Sequence, residues 1–386
     1  MFANLIRFSE KIAKKSLASK KIQILQAIKK FIKSLNLIQL LEVIMSSFRV
    51  LSPDIQYIDG GIIEKEVANK HLQIDLFRWE EEVPAQDLAQ YFGLLVWHLA
   101  TINSSYIDQL NSCRIIVRCG VGFDNVDLKA AAERGIAVCN TPDYGTSEVA
   151  DHTIGMILSL ERQFVSYHNH VQSDPLTNFD HLGVPPGRRL RGRSIGLLGM
   201  GRIGTATALR AKAFGMRVLI YDPYLTRGQE IAVGVERVES LEELCSQVSI
   251  LSIHTPLTKE TQGIINEQLL RLLPKDSILI NTARGLILDL DAVYNVLKDG
   301  HLRAAAIDVF PSEPPDPMPR LLHALQNKEP WLQQRLLVTP HTAWYSVDSA
   351  LDLRRKSVET ALLYLKNDKL RNCVNAHLLQ PGQTFR

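Results

Sequence analysis

From about residue 49 onward, short apolar runs alternate with stretches whose apolar residues recur at helical spacing. The runs at 49–57, 72–77, 93–98, 114–118 and 136–139 have the length and bulk of buried strands. Between them, 62–70, 85–92, 105–110 and 126–134 read as helices, with Gly60, Gly61 and Gly135 as breaks. Strands alternating with helices predict a parallel, doubly wound sheet over about 48–142. A second series follows, with strands at 195–198, 218–221, 248–254, 277–281, 304–308 and 336–339. Its helices are expected at 205–214, 241–247, 267–273 and 291–298. About six parallel strands suit a dinucleotide-binding sheet. The apolar stretch 148–162 is a candidate bridging helix, 173–193 reads as loop and 311–334 as a Pro-rich insertion. A last helix, about 347–366, is expected to pack back onto the first unit.

One junction in this pattern carries chemistry. The strand at 195–198 runs into Gly199-Met200-Gly201-Arg202-Ile203-Gly204, then a helix, a strand and Asp222. This is G-x-G-x-x-G in the setting that gives the motif its meaning. Gly199 permits a tight turn, and Gly201 lets a pyrophosphate approach the backbone at the helix N-terminus. Gly204 lets helix and strand pack closely. Asp222, about 20 residues on, suits the adenosine ribose hydroxyls and repels a 2′-phosphate, which favours NAD over NADP. Arg227 is the nearest cation that argues otherwise.

Composition narrows the class. A 46% apolar and 22% charged chain is that of an ordinary soluble protein, and a net charge of +3 gives no reason to expect nucleic acid. The positive charge sits in residues 1–46, a basic amphipathic extension with Ile22, Leu25, Ile28, Ile32, Leu35 and Ile38 at roughly helical spacing, and the remainder of the chain is mildly acidic. It reads as a membrane-surface or targeting helix, or as an over-extended translation start or mobile appendage ahead of Met45. Five cysteines, with no C-x-x-C pair, read as reduced thiols of a cytoplasmic protein. They offer no zinc site, and no metal is expected. No apolar run reaches the ~18 residues needed to span a bilayer.

Three polar residues follow successive predicted strands: Arg284, Glu313 and His341. Ligands of open α/β sheets bind at the carboxyl ends of strands, so these loops converge on the cofactor crevice. Arg284 suits bidentate contact with a carboxylate. His341 suits a proton donor working near neutral pH. Glu313 suits the carboxylate that orients the imidazole and favours its charged form.

The chain then resembles the D-isomer-specific 2-hydroxyacid dehydrogenase family, most of all its C-terminal-binding-protein branch and bacterial relatives. The stretches that carry this are RIIVRCGVGFDNVDL from Arg114, GIAVCNTPDYGTSEVADHT from Gly135, GLLGMGRIG from Gly196, AKAFGMRVLIYDPYL from Ala211, NTARG from Asn281, AAIDVFPSEP from Ala305, TPHTAWYS from Thr339 and RNCVN from Arg371. The resemblance covers residues 48–379. It implies two doubly wound domains. One is a Rossmann NAD-binding domain at 146–341; the other is a flavodoxin-like substrate domain built from 47–145 and 342–380. It implies Arg284, Glu313 and His341 as catalytic residues. Gly120, Val121 and Gly122 would hold the substrate carboxylate, with Arg118 nearby and Trp344 beside the substrate side chain. Gly199, Gly201, Arg202, Ile203, Gly204 and Asp222 would bind NAD, with Thr255 and Pro256 on the adenine side and Thr282, Ala283 and Asp308 at the nicotinamide end. A homodimer is implied. Two departures stand out: Val149 replaces a Thr common in the animal proteins of the branch, and the 311–334 insertion is longer than theirs. The expected activity is NAD-dependent interconversion of a 2-oxo acid and a (2R)-2-hydroxy acid. The alternative is an NAD(H)-sensing dimeric scaffold or corepressor with little turnover.

Overall fold

Two all-parallel sheets organise the computed structural model, which describes residues 48–380 apart from residues 80, 82 and 84. The first sheet holds β1 (Phe48–Ile55), β2 (Leu72–Arg78), β3 (Gly93–Val96), β4 (Ile115–Arg118) and β5 (Ala137–Asn140), in the order β2-β1-β3-β4-β5. The second holds β6 (Ser194–Leu198), β7 (Arg217–Tyr221), β8 (Glu236–Arg237), β9 (Ile250–Ile253), β10 (Ser277–Asn281), β11 (Leu302–Ile307) and β12 (Leu336–Val338). Its order is β12-β11-β10-β9-β6-β7-β8. The first is the flavodoxin order; the second is the six-strand dinucleotide order with one strand added. The α/β, doubly wound class read from the sequence is the one observed.

Both faces of each sheet are covered, and the residues show why. In β3, β4 and β5 every residue is buried, as in strands shielded on both sides. In the second sheet, period-two alternation sends Leu198, Leu251, Leu279 and Ala305 into one core and Leu197, Ile250, Ile278 and Ala304 into the other. The helix Thr146–Arg162 lies on this second core through Ile154, Met156, Ile157 and Leu160. The helix Val347–Asn367 returns to the first sheet, where Leu353, Val358, Ala361 and Leu365 join its core. Arg354 of that helix is buried and bonds Glu64 at 2.6 and 2.7 Å and Asp59 at 2.8 and 2.9 Å, with its guanidinium 3.7 Å from the Tyr57 ring. The charges are buried as pairs, which ties the last helix to Asp59 and Glu64 of the first unit.

The sequence pattern misses several small elements. The stretch 85–92 folds as a 3₁₀ helix, Ala85–Gln90, not as an α-helix. β8 has only two residues, too few to show a period. Helices Phe164–Ser173, Gln229–Val233 and Arg320–Gln326 are also additional, the last lying inside the Pro-rich insertion. The basic extension at 1–46 lies outside the described residues. All five cysteines are free thiols. Among the described residues, no helix is long and apolar enough to cross a membrane.

Candidate active site

His341 follows β12 with φ at +54°, a left-handed conformation rare for a residue with a side chain. Asp308, after β11, holds it there. The His341 N–H donates to the Asp308 carbonyl at 2.7 Å. The buried Asp308 carboxylate accepts from the Thr339 hydroxyl at 2.5 Å and from the backbone N–H groups of Thr342 and Ala343 at 2.9 and 3.0 Å. His152 adds a 3.1 Å bond to the Thr339 hydroxyl. Strain of this kind persists only where the surroundings over-determine it. The result is that His341 Nδ1 meets Glu313 Oε2 at 2.5 Å, while the other oxygen of Glu313 accepts from the Phe310 N–H at 2.9 Å. Burial works against the charged carboxylate, but the bond and charge of His341 hold the Glu313 carboxyl below its ordinary range.

Arg284 follows β10. Asn281 shapes its loop, accepting from the Ala283 N–H and donating to the Arg284 carbonyl, both at 3.0 Å. A Cβ on Gly285 would lie 2.0 Å from the Phe310 carbonyl carbon, so the Arg284 and Glu313 loops touch backbone to backbone. The Arg284 Nε–H donates to Asp124 at 3.0 Å. Burial opposes the charge on Asp124, and Arg284 outweighs it, lowering the Asp124 carboxyl. From the first sheet, Arg118 at the end of β4 is buried, and one guanidinium N–H donates to the Cys119 carbonyl at 2.7 Å. Its Nε has no hydrogen-bond partner, and no ion pair holds it among the described residues. Burial, then the charge of Arg284, push its guanidinium down. Gly120, Val121 and Gly122 pass beneath the two cations: a Cβ would sit 1.6 Å from Arg118 at Gly120 and 1.5 Å from Arg284 at Gly122. Asn140 pins the loop by donating to the Val121 carbonyl at 2.7 Å.

The glycine-rich loop lies at the carboxyl end of β6. A Cβ at Gly204 would come 2.3 Å from the Gly199 carbonyl oxygen, whereas at Gly201 no protein atom lies within 4 Å. The helix Arg202–Ala213 has no side-chain cap, which leaves its first N–H groups to an anion. Arg202 is exposed there, and Ile203 is half-buried. Asp222 accepts from the Met200 N–H at 2.9 Å, which places its carboxylate at the loop. Arg227 is taken up by Glu239 at 3.1 Å. Thr255 and Pro256 follow β9, and the Thr255 nitrogen lies 3.0 Å from the Gly199 Cβ position. Thr282 is buried and shares a 3.1 Å hydroxyl contact with Thr153; Ala283 adjoins it. These residues fit a dinucleotide: close packing where none is needed and space where a pyrophosphate passes.

Trp344 packs in an aromatic cluster with Tyr345, Tyr144 and Trp97, at centroid separations of 5.5, 5.8 and 6.2 Å. Beside it stands a residue the sequence reading left out. His98, on the loop after β3, lies with its ring centroid 5.0 Å from that of His341. Asp54, Asn125, Asp124 and Asn281 were also missed. Each is a polar residue in an otherwise unremarkable apolar or loop context, and only His98, at the end of the apolar run 93–98, gave any hint.

Crevice, anion cradle and imidazole–carboxylate pair define a two-lobed dinucleotide-binding protein. The chain belongs to the D-isomer specific 2-hydroxyacid dehydrogenase family, whose NAD binding domain matches residues 154–343. It is similar to the D-3-phosphoglycerate dehydrogenase of Methanocaldococcus jannaschii, 34% identical over 275 residues, which are 71% of this chain and 51% of that protein. Against the same enzyme of Bacillus subtilis it is 32% identical over 330 residues, or 85% of this chain and 59% of that one. The chain thus spans little more than half the length of these curated relatives. Among solved structures, D-lactate dehydrogenase from Aquifex aeolicus, complexed with NAD and lactic acid, superposes with a TM-score of 0.72 at 27% identity. That match covers 83% of this chain and 96% of the other.

Proposed function

We propose that the chain is an NAD-dependent oxidoreductase that interconverts a 2-oxo acid and a (2R)-2-hydroxy acid. The observation that carries this is the pair of guanidinium groups, Arg118 and Arg284, meeting above Gly120 and Gly122 beside the His341–Glu313 pair. A buried arginine without a carboxylate calls for an anionic ligand, and a proton donor stands next to it. The nicotinamide, when bound, supplies or accepts the hydride. Arg284 and Arg118 hold the carboxylate and draw charge from the carbonyl. His341 gives its proton to the carbonyl oxygen during reduction and takes it back in the reverse direction. Glu313 keeps the imidazole oriented and favours its charged form. Asp308 acts here chiefly by building the His341 loop.

We read residues 47–145 and 342–380 as the substrate domain and 146–341 as the NAD-binding domain, which the two sheets and the docking of the last helix support. The C-terminal-binding-protein branch is favoured by Trp344 within TPHTAWYS. The relatives named above are dehydrogenases, so the scaffold reading has less support. A cytoplasmic homodimer is proposed. The helix Thr146–Arg162 buries its apolar face within the chain, but Phe164, Val165, Leu176, Phe179 and Leu182 just after it are exposed and suit a partner copy.

The test is NADH oxidation across a panel of 2-oxo acids. Turnover of at least one, with NADH used far better than NADPH because of Asp222, supports the reading. Tight NADH binding without turnover on any of them would overturn it. Glu313→Gln should shift the alkaline limb of the reductive pH profile towards acid, because the carboxylate no longer favours the imidazolium. An unmoved limb would separate Glu313 from His341.

The aromatic wall of Trp344, Trp97 and Tyr144 favours an apolar or thioether side chain on the substrate over a phosphate. Trp344→Ala should therefore lower kcat/KM for a larger substrate, such as 4-methylthio-2-oxobutyrate, more than for pyruvate. The expected difference is of the order of ~1–3 kcal/mol. Equal losses on both would mean that Trp344 serves the core alone.

A further inference from the structure

The crevice contains a second imidazole for which the proposed chemistry has no use. His98 comes from the first sheet's side and His341 from the second, and their planes are tilted by 40° at 5.0 Å. One ligating atom each from His98, Glu313 and His341 lies within 4.8 Å of the others. A metal does not explain the set. Both Glu313 oxygens are occupied, one by His341 and one by Phe310, and His98 Nδ1 faces the Gln56 amide at 3.2 Å.

The loop that presents His98 is built with unusual expense for a surface turn. Asp54 is buried at the end of β1, and its carboxylate accepts from the N–H groups of Trp97, Leu99 and Ala100 at 2.8, 3.2 and 2.9 Å. The Asn125 amide donates to the carbonyls of Trp97 and Ala100 at 2.9 and 2.8 Å. Burial pushes the Asp54 carboxyl up, so the loop is held against a desolvation cost. Its one ionisable side chain is His98. The Gln56 amide donates to Nδ1, so a neutral His98 carries its proton on Nε2. Burial, then the charges of His341 and Arg118, push the imidazole down to about 4, and it stays neutral where a third cation would be repelled.

We propose that His98 is a positioning residue for His341: its ring is the wall, supplied from the opposite lobe, that seats the His341 imidazole against Glu313 and keeps water from their shared proton. The proposal rests on His341 as the proton donor. It assigns His98 to ring packing, not to a hydrogen bond with substrate. The three substitutions His98→Ala, His98→Phe and His98→Gln separate these roles in the full-length chain.

The first readout is spectroscopic and needs no turnover. A proton shared between His341 Nδ1 and Glu313 gives a far-downfield NMR resonance, assigned by its loss in His341→Ala. It is expected in the wild type and in His98→Phe, and expected to vanish by exchange with water in His98→Ala and His98→Gln. The second readout is kinetic. In the Ala and Gln variants kcat should fall by about 10–100-fold, the scale of a small misplacement of a catalytic group. KM and NADH affinity should be nearly unchanged, and His98→Phe should recover most of the kcat. Retention of the resonance in His98→Ala overturns the proposal. So does a rise in KM alone, or a Gln variant that outperforms Phe, since either marks a hydrogen bond to substrate. A wild type that turns over no 2-oxo acid refutes the proposed function, and the resonance still decides the role of His98.

Discussion

Replacing His341 with alanine is expected to reduce turnover by ~10²–10⁴-fold, the usual contribution of a positioned general acid, while leaving NADH binding intact. The two effects separate because the residues stand on different strands. His341 follows β12, and the glycine-rich loop that suits the dinucleotide follows β6, four positions away across the sheet order. Nothing in the imidazole's bonding, to Glu313 through its ring and to Asp308 and Thr339 through its backbone, reaches that loop. Fluorescence titration with NADH and single-turnover rates measure the two quantities independently. Near-wild-type rates on the best substrate would refute the role of His341. A parallel loss of NADH binding would show that the variant had damaged the second sheet instead.

Arg284→Gln is expected to lower kcat/KM by about 10²–10³-fold, the cost of removing one electrostatic anchor from a site where charge develops. Lysine should not restore it, because a point charge cannot make the two parallel bonds of a guanidinium. The loss should also depend on the substrate. A 2-oxo compound whose carboxylate is replaced by a neutral amide should react slowly with the wild type, and should lose much less on the same substitution. Equal losses on both would mean that Arg284 keeps the site in shape through Asp124 and the Ala283 carbonyl and does not bind the carboxylate.

How far the chain could be read in advance follows from where the information lies. The strands were legible because parallel strands shielded on both faces leave dense apolar runs, and β10 was placed to the residue as 277–281. The glycine-rich loop was legible because its neighbours in sequence are also its neighbours in space. Arg284, Glu313 and His341 were legible by their place after successive strands. The partners that hold them were not. Asp308 clasps a loop that begins beyond β12, Asp54 reaches the loop after β3, and Asn281 folds back on Arg284. Such bonds follow from a finished packing and leave no period in the sequence. The same holds for β8, whose two residues pair with β7 only because the sheet edge is there. The helix Phe164–Ser173 was missed for another reason: its sequence, FVSYHNHVQS, is too polar to show a buried face, and only Ser166 is buried.

The contact of Gly285 with Phe310 and the Asp308 clasp make Arg284, Glu313 and His341 a single block on the second sheet, while Arg118, the Gly120–Gly122 loop and Trp97 stand on the first. Inheritance can therefore act on the two halves separately. Changes in the gene segment encoding the first sheet, so long as they spare His98, can trade one substrate for another without disturbing how the proton is delivered. Changes in the segment encoding the block are nearly all forbidden, because each of its residues is also a neighbour's scaffold. A lineage descended from such a protein can explore new substrates cheaply and new reactions hardly at all.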